Sequence, residues 1–195
     1  KGHTRADFLA TLASFRDLGM VLQPTFVPFT PWTTLESYRD LLSVIAAQGL
    51  IENVTPIQFG IRLLIPAGSR LLELDEVRSM VGEFDAAGLL YPWKHTDPRV
   101  DSLAAQVQDL ASEGDQLKQS REEIFARIWR AAAAAAGASG ADPVWQLPLL
   151  AKSEAVPRLS EPWYCCAEPT RDQFVAIGAA PPPPAPAHAP AGAGD

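Results

Sequence analysis

Pro56-Ile57-Gln58-Phe59-Gly60-Ile61-Arg62-Leu63-Leu64-Ile65 is the stretch on which the fold assignment turns. Side chains on a strand alternate between two faces, so this run can be read face by face. Ile57, Phe59, Ile61, Leu63 and Ile65 would form one wholly apolar face, suited to packing under helices. Gln58, Gly60 and Arg62 would share the other, where an amide and a guanidinium flank a residue with no side chain. On an open sheet that face is simply solvated. In a barrel it would project two polar groups into the lumen and leave room between them for a ligand.

Upstream, Met20 to Val27 is a second β-type run, irregular or at an edge because Pro24 has no ladder donor. From Thr4 to Leu18 the apolar residues Phe8, Leu9, Leu12 and Phe15 recur at helical spacing, and Gly19 supplies the stop. A capping box is expected from Thr33 to Glu36, opening a helix with Leu35, Tyr38, Leu42 and Ile45 on one face and Gly49 at its end. Helix, strand, helix, strand with short connections is the order of a parallel α/β unit.

Beyond Pro66-Ala67-Gly68-Ser69 the pattern becomes helical. Asp75 is placed to cap a helix bearing Val77, Met80, Val81 and Phe84. After the aromatic connector Tyr91-Pro92-Trp93-Lys94-His95, two further helices are expected at about Val100–Ala111 and Gln116–Ala136. The second ends in six alanines, carries Arg121, Glu122 and Glu123 on its solvated face, and reads as peripheral or as a bridge from the barrel to the tail. Ala138 to Arg158 is punctuated by Gly140, Pro143, Pro148 and Pro157 and reads as loop. After Gly178 the chain is almost only Ala, Pro and Gly, a composition expected to remain a disordered tail.

The 195 residues are nearly half apolar, enough for one ordinary core plus a tail. Sixteen basic against 23 acidic residues leave −7, with no basic cluster, which argues against nonspecific nucleic-acid binding. No apolar run approaches the roughly 18 residues a membrane-spanning helix needs, and no signal-peptide pattern opens the sequence. His3, His95 and His188 are isolated and do not make a metal site. The only two cysteines, Cys165 and Cys166, are adjacent, and ordinary disulfide geometry wants the two Cα atoms farther apart than one peptide places them. The pair reads either as a redox or metal-binding couple or as one buried thiol and a bystander. Without a disulfide framework, a cytoplasmic location is expected.

Two stretches together resemble the late barrel of a radical S-adenosylmethionine (SAM) protein. They are Pro24-Thr25-Phe26-Val27-Pro28-Phe29-Thr30-Pro31-Trp32-Thr33-Thr34-Leu35 and the run from Pro56 to Ser69. Downstream, Cys165-Cys166-Ala167-Glu168-Pro169 is similar to the tail that names the CUAEP/CCAEP-tail radical SAM proteins, some of which carry selenocysteine there. The likeness covers about Gly2 to Phe174. It implies S-adenosylmethionine and a four-iron four-sulfur cluster as cofactors of the intact protein. The usual Cys-x-x-x-Cys-x-x-Cys triad for that cluster is missing from this sequence. The family places it upstream, so the chain, which starts at Lys1 on a helical pattern, is expected to be a C-terminal fragment. A cobalamin-binding region upstream is compatible with the resemblance.

The implied architecture is α/β: residues 1–73 the C-terminal part of a partial (β/α) barrel, 74–137 an α-helical accessory region, 138–177 a loop-rich segment with the CCAEP motif, and 178–195 a disordered tail. Barrel ligands sit at the C-terminal strand ends, here Pro28 to Trp32 and Ile65 to Ser69. On the resemblance, Arg62 would pair with a carboxylate, Gln58 with a ligand's polar edge, and Gly68 and Ser69 would allow close backbone approach. Thr30 is the remaining cofactor candidate, and its alternative is a turn residue; for Arg62 it is a structural ion pair inside the barrel. Cys166 aligns with the family's selenocysteine, so Cys165 and Cys166 are the catalytic candidates. Arg171 would favour a thiolate and Glu168 would oppose it. The partners implied are the upstream barrel portion and a small-molecule or peptide substrate, with neither nucleic acid nor membrane. The competing reading is a non-enzymatic α/β-helical interaction module with inert cysteines.

Overall fold

A computed structural model of the chain describes residues 2–137. Five α-helices carry the described fold: α1 (Arg5–Asp17), α2 (Leu35–Ala47), the single turn α3 (Asp75–Arg78), α4 (Pro98–Gln116) and α5 (Arg121–Ala135). Short 3-10 helices occupy Ile51–Asn53, Pro56–Gly60 and Arg70–Glu73.

The expected strand over 56–65 is corrected: its first half is 3-10 helix. Pro56 stands at the first helical position, where its missing N–H costs nothing and its fixed φ is already suitable. The chain becomes extended only from Ile61, where Phe29 and Arg62 form a parallel bridge. Phe29 donates to the Ile61 carbonyl at 3.1 Å and Leu63 donates to the Phe29 carbonyl at 2.8 Å. Met20 to Val27 joins no ladder, and the Phe26 amide bonds the Gln58 side chain instead. Among the described residues β-pairing is confined to isolated bridges, and no barrel is present. The α/β character rests on that one parallel contact between extended segments joined through α2.

α1 and α2 begin with capping boxes that satisfy the free amides of their first turns. The cap of α2 is Thr34 with Ser37, not Thr33 with Glu36. Thr33 is buried and turns inward, donating to the Pro28 carbonyl at 2.8 Å. Gly19 and Gly49 follow their helices at φ +66° and +61°, a region glycine enters without steric penalty.

The main core gathers Tyr38, Leu42 and Ile45 of α2, Phe29, Phe59, Val100, Leu103 and Val107 of α4, and Phe125 and Ile128 of α5. Phe29 stacks on Tyr38 at 4.7 Å, and Phe59 meets Phe125 edge-on at 5.3 Å. Gly60 lets α4 approach: a Cβ there would lie 2.7 Å from Gln108 Cγ and 3.2 Å from its backbone nitrogen. The Gln108 amide then donates to the Gly60 carbonyl at 2.8 Å. Far from being peripheral, α5 buries Ile124, Phe125, Ile128 and three of its alanines. Arg121, expected on the solvated face, donates to the Glu52 carbonyl at 2.6 Å.

The helix expected from Asp75 to near Gly88 stops at Arg78. The chain then doubles back, with Val81 opposite Trp93 and Asp85 opposite Leu90. This hairpin and the 61–73 segment enclose a second small core of Ile65, Val77 and Trp93. α4 continues to Gln116, beyond the expected break near Ala111. No helix of the described residues is long and apolar enough to cross a membrane.

Candidate functional site at the ends of the extended segments

The 28–33 turn is held by hydroxyls. Thr33 accepts from the Thr30 amide at 2.9 Å, and the two threonine hydroxyls are 3.1 Å apart. The Thr30 hydroxyl also accepts from the Trp32 amide at 3.3 Å. This web fixes the chain where it leaves the parallel bridge and projects Trp32 outward, 48% exposed. The Trp32 indole N–H donates to Glu76 at 2.7 Å, joining this turn to α3.

On the second end, Gly68 has φ +75° and nothing within 4 Å of where a Cβ would stand. It makes the turn that brings Ser69 into capping position, where its hydroxyl accepts from the Leu71 amide at 3.3 Å. Thr30, Gly68 and Ser69 are thus turn and cap residues beside open surface.

Arg62 and Gln58 are placed differently. Arg62 Nη1 donates to Asp101 at 2.8 Å and Nη2 to the Trp93 carbonyl at 2.9 Å. Its guanidinium lies over the Trp93 ring, 4.0 Å from the centroid. The other Asp101 oxygen accepts from the His95 amide at 2.9 Å, so one carboxylate clamps the 61–65 segment and the hairpin exit to the first turn of α4. Gln58 Oε1 accepts from the Phe26 amide at 3.3 Å, filling the place of a ladder partner. His95 accepts from the Asp97 amide at 2.9 Å through Nδ1, a turn-forming role.

The described residues therefore place Thr30, Gly68 and Ser69 in two separate turns, and they engage Gln58 and Arg62 in internal bonds. Asp101, Trp93 and Glu76 were missed as partners, because nothing in their local sequence distinguishes them from ordinary helix and connector residues. Cys165 and Cys166, with Glu168 and Arg171, lie outside the described residues.

Charge is arranged mainly at helix starts. The Thr4 hydroxyl and amide donate to Asp7, and the Ser120 amide and hydroxyl to Glu123; each set holds the carboxyl below its ordinary range. Asp97 is lowered in the same way by hydrogen bonds from Arg99. Burial pushes the Tyr38 phenol far up, while its hydroxyl donates to the Phe59 carbonyl at 3.0 Å. These are the signatures of caps and a core hydrogen bond.

An iron–sulfur cluster needs several thiolates. Among the described residues, no group of three His, Cys, Asp or Glu side chains is placed to hold a metal ion. With Arg62 and Gln58 bonded internally, the two expected strand ends offer few polar groups to S-adenosylmethionine. The described residues do not by themselves fit either group. Comparison with known proteins finds no matching family model, no matching curated protein and no matching solved structure.

Proposed function

We propose that this chain is the C-terminal part of a radical S-adenosylmethionine enzyme, supplying late strand ends of the barrel and a redox-active or metal-binding cysteine pair. The reading rests on the likeness of the two quoted stretches and the Cys165–Pro169 tail to that group. One observation favours it: the two stretches pair in parallel through Phe29 and Arg62, with a helix between them. That is the connection a (β/α) repeat requires. The cluster and S-adenosylmethionine belong to the intact protein, with the cluster ligands upstream. Among the described residues, Thr30, Gly68 and Ser69 remain the candidates to approach a cofactor or substrate at the ends of the extended segments.

The test is to produce the complete natural protein anaerobically, with iron and sulfide, and to supply S-adenosylmethionine and a reductant. Release of 5′-deoxyadenosine supports the reading, and its absence from cluster-loaded protein defeats it. The alternative, an interaction module with inert cysteines, is favoured by the internal bonds of Arg62 and Gln58. It predicts that Cys165 and Cys166 resist alkylation at neutral pH unless the protein is unfolded.

A further inference from the structure

A groove of about 370 Å³ opens between the start of α4 and the end of α5. Leu103 and Ser102, with the polar Arg99 and Gln106, line the α4 wall, and Ala131, Ala134 and Ala135 line the other. Its size falls at the lower end of cavities that hold a compact apolar group, about 300–1,000 Å³. The alanine wall is unusual for a helix end: methyl groups alone allow a second segment to approach closely, whereas longer side chains would fill the space.

The groove lies beside the point where the described chain stops. Ala135 is the last residue of α5, and Gly137, at φ +66°, turns the chain off the helix axis. A further 58 residues follow, from 138 to 195. The first apolar-rich stretch among them is Val144-Trp145-Gln146-Leu147-Pro148-Leu149-Leu150. Only 138–143 separate it from Gly137, and six residues reach up to about 20 Å, enough to fold back over two or three turns of α5. Proline fixes its own φ and biases the residue before it away from the helical region, so Pro143 and Pro148 lower the entropy lost on docking. The stretch carries no charge that would have to be desolvated against the alanine wall.

We infer that this groove is the docking site for the chain's own Val144–Leu150 segment, with Trp145 as the anchoring side chain. The inference does not depend on the radical SAM reading. It has a consequence for it: with 144–150 held on α4 and α5, Cys165 lies on a tether of 14 residues, 151–164, with a reach of about 50 Å. The cysteine pair would then be confined within that distance of the groove.

The experiment uses the full 195-residue chain and reads the environment of Trp145 as the difference in tryptophan fluorescence between wild type and Trp145→Phe. The expected signal is blue-shifted and quenched several-fold less by acrylamide than free tryptophan. Ala134 is exposed on the groove rim, so Ala134→Arg obstructs the groove with little threat to the core. It should return Trp145 to the quenching of a solvated indole while the far-UV circular dichroism stays unchanged. Should Ala134→Arg perturb folding, Ser102→Trp on the opposite wall provides a second obstruction, read through 5-fluorotryptophan resonances so that the added ring is distinguished. A solvated Trp145 in the wild type would overturn the inference. So would a shielded Trp145 that neither obstruction affects, because it would be docked elsewhere. Shielding that disappears on dilution would also overturn it, since the occupant would then be the segment of a second copy.

Discussion

Replacing Arg62 by Met keeps most of the aliphatic stem and removes the guanidinium, whose contacts include three within the described residues. These are the 2.8 Å ion pair with Asp101, the 2.9 Å bond to the Trp93 carbonyl and the stack on the Trp93 ring. A hydrogen bond involving a charged group contributes about 1.5–3 kcal/mol, and a cation–π contact about 0.5–1 kcal/mol at an exposed site. The side chains of Arg62 and Asp101 retain 14% and 29% of their exposure, so water compensates part of the loss. The expected destabilisation is therefore about 2–3 kcal/mol, below the 3–5 kcal/mol for breaking a fully buried pair. Urea unfolding followed by circular dichroism should show a lower midpoint with an unchanged slope. A double-mutant cycle with Asp101→Asn should give a coupling of about 1–2 kcal/mol. If Arg62→Met changes stability by less than about 0.5 kcal/mol, a typical surface value, the clamp is not structural and Arg62 returns to the ligand candidates.

Gly114→Ala should cost about 1–3 kcal/mol, because the added methyl collides with the Ile124 side chain at the α4–α5 crossing; a thermal melt measures it. Tyr38→Phe withdraws the donor to the Phe59 carbonyl inside the core and should cost about 1 kcal/mol or more in the same assay. Glu123 is held below its ordinary value in the folded chain, so its contribution is complete above about pH 4.3 and is lost as pH falls through the lowered value. Glu123→Gln should accordingly flatten the acid limb of a stability–pH profile measured between pH 7 and pH 3, and a profile as steep as wild type would count against the cap.

Helix boundaries were readable where the chain carries its own punctuation. Thr4 and Gly19 bracket α1, and Gly49 closes the turn after α2. The 56–65 run misled because apolar alternation fits a strand and also fits one turn of 3-10 helix followed by extended chain. Pro56 was the available signal for the helical start. What decides between them is the packing of Gly60 on Gln108, 48 residues away, which no local pattern contains. The alanines of α5 suggested a peripheral helix, yet their small side chains are what allow burial of Ala131, Ala132 and Ala133. At the candidate site, the turn at Thr30 and the open backbone at Gly68 were legible from residue type. The engagement of Arg62 was legible as an alternative, but its partner Asp101 was not, since that pairing arises only when α4 crosses the extended segment.

The proposed radical S-adenosylmethionine assignment requires a cluster-binding barrel half upstream of Lys1, and sequencing the natural coding frame there tests it. A Cys-x-x-x-Cys-x-x-Cys triad at the end of an early predicted strand is expected. An upstream frame that contains no such triad, or a natural start codon immediately before Lys1, would contradict it.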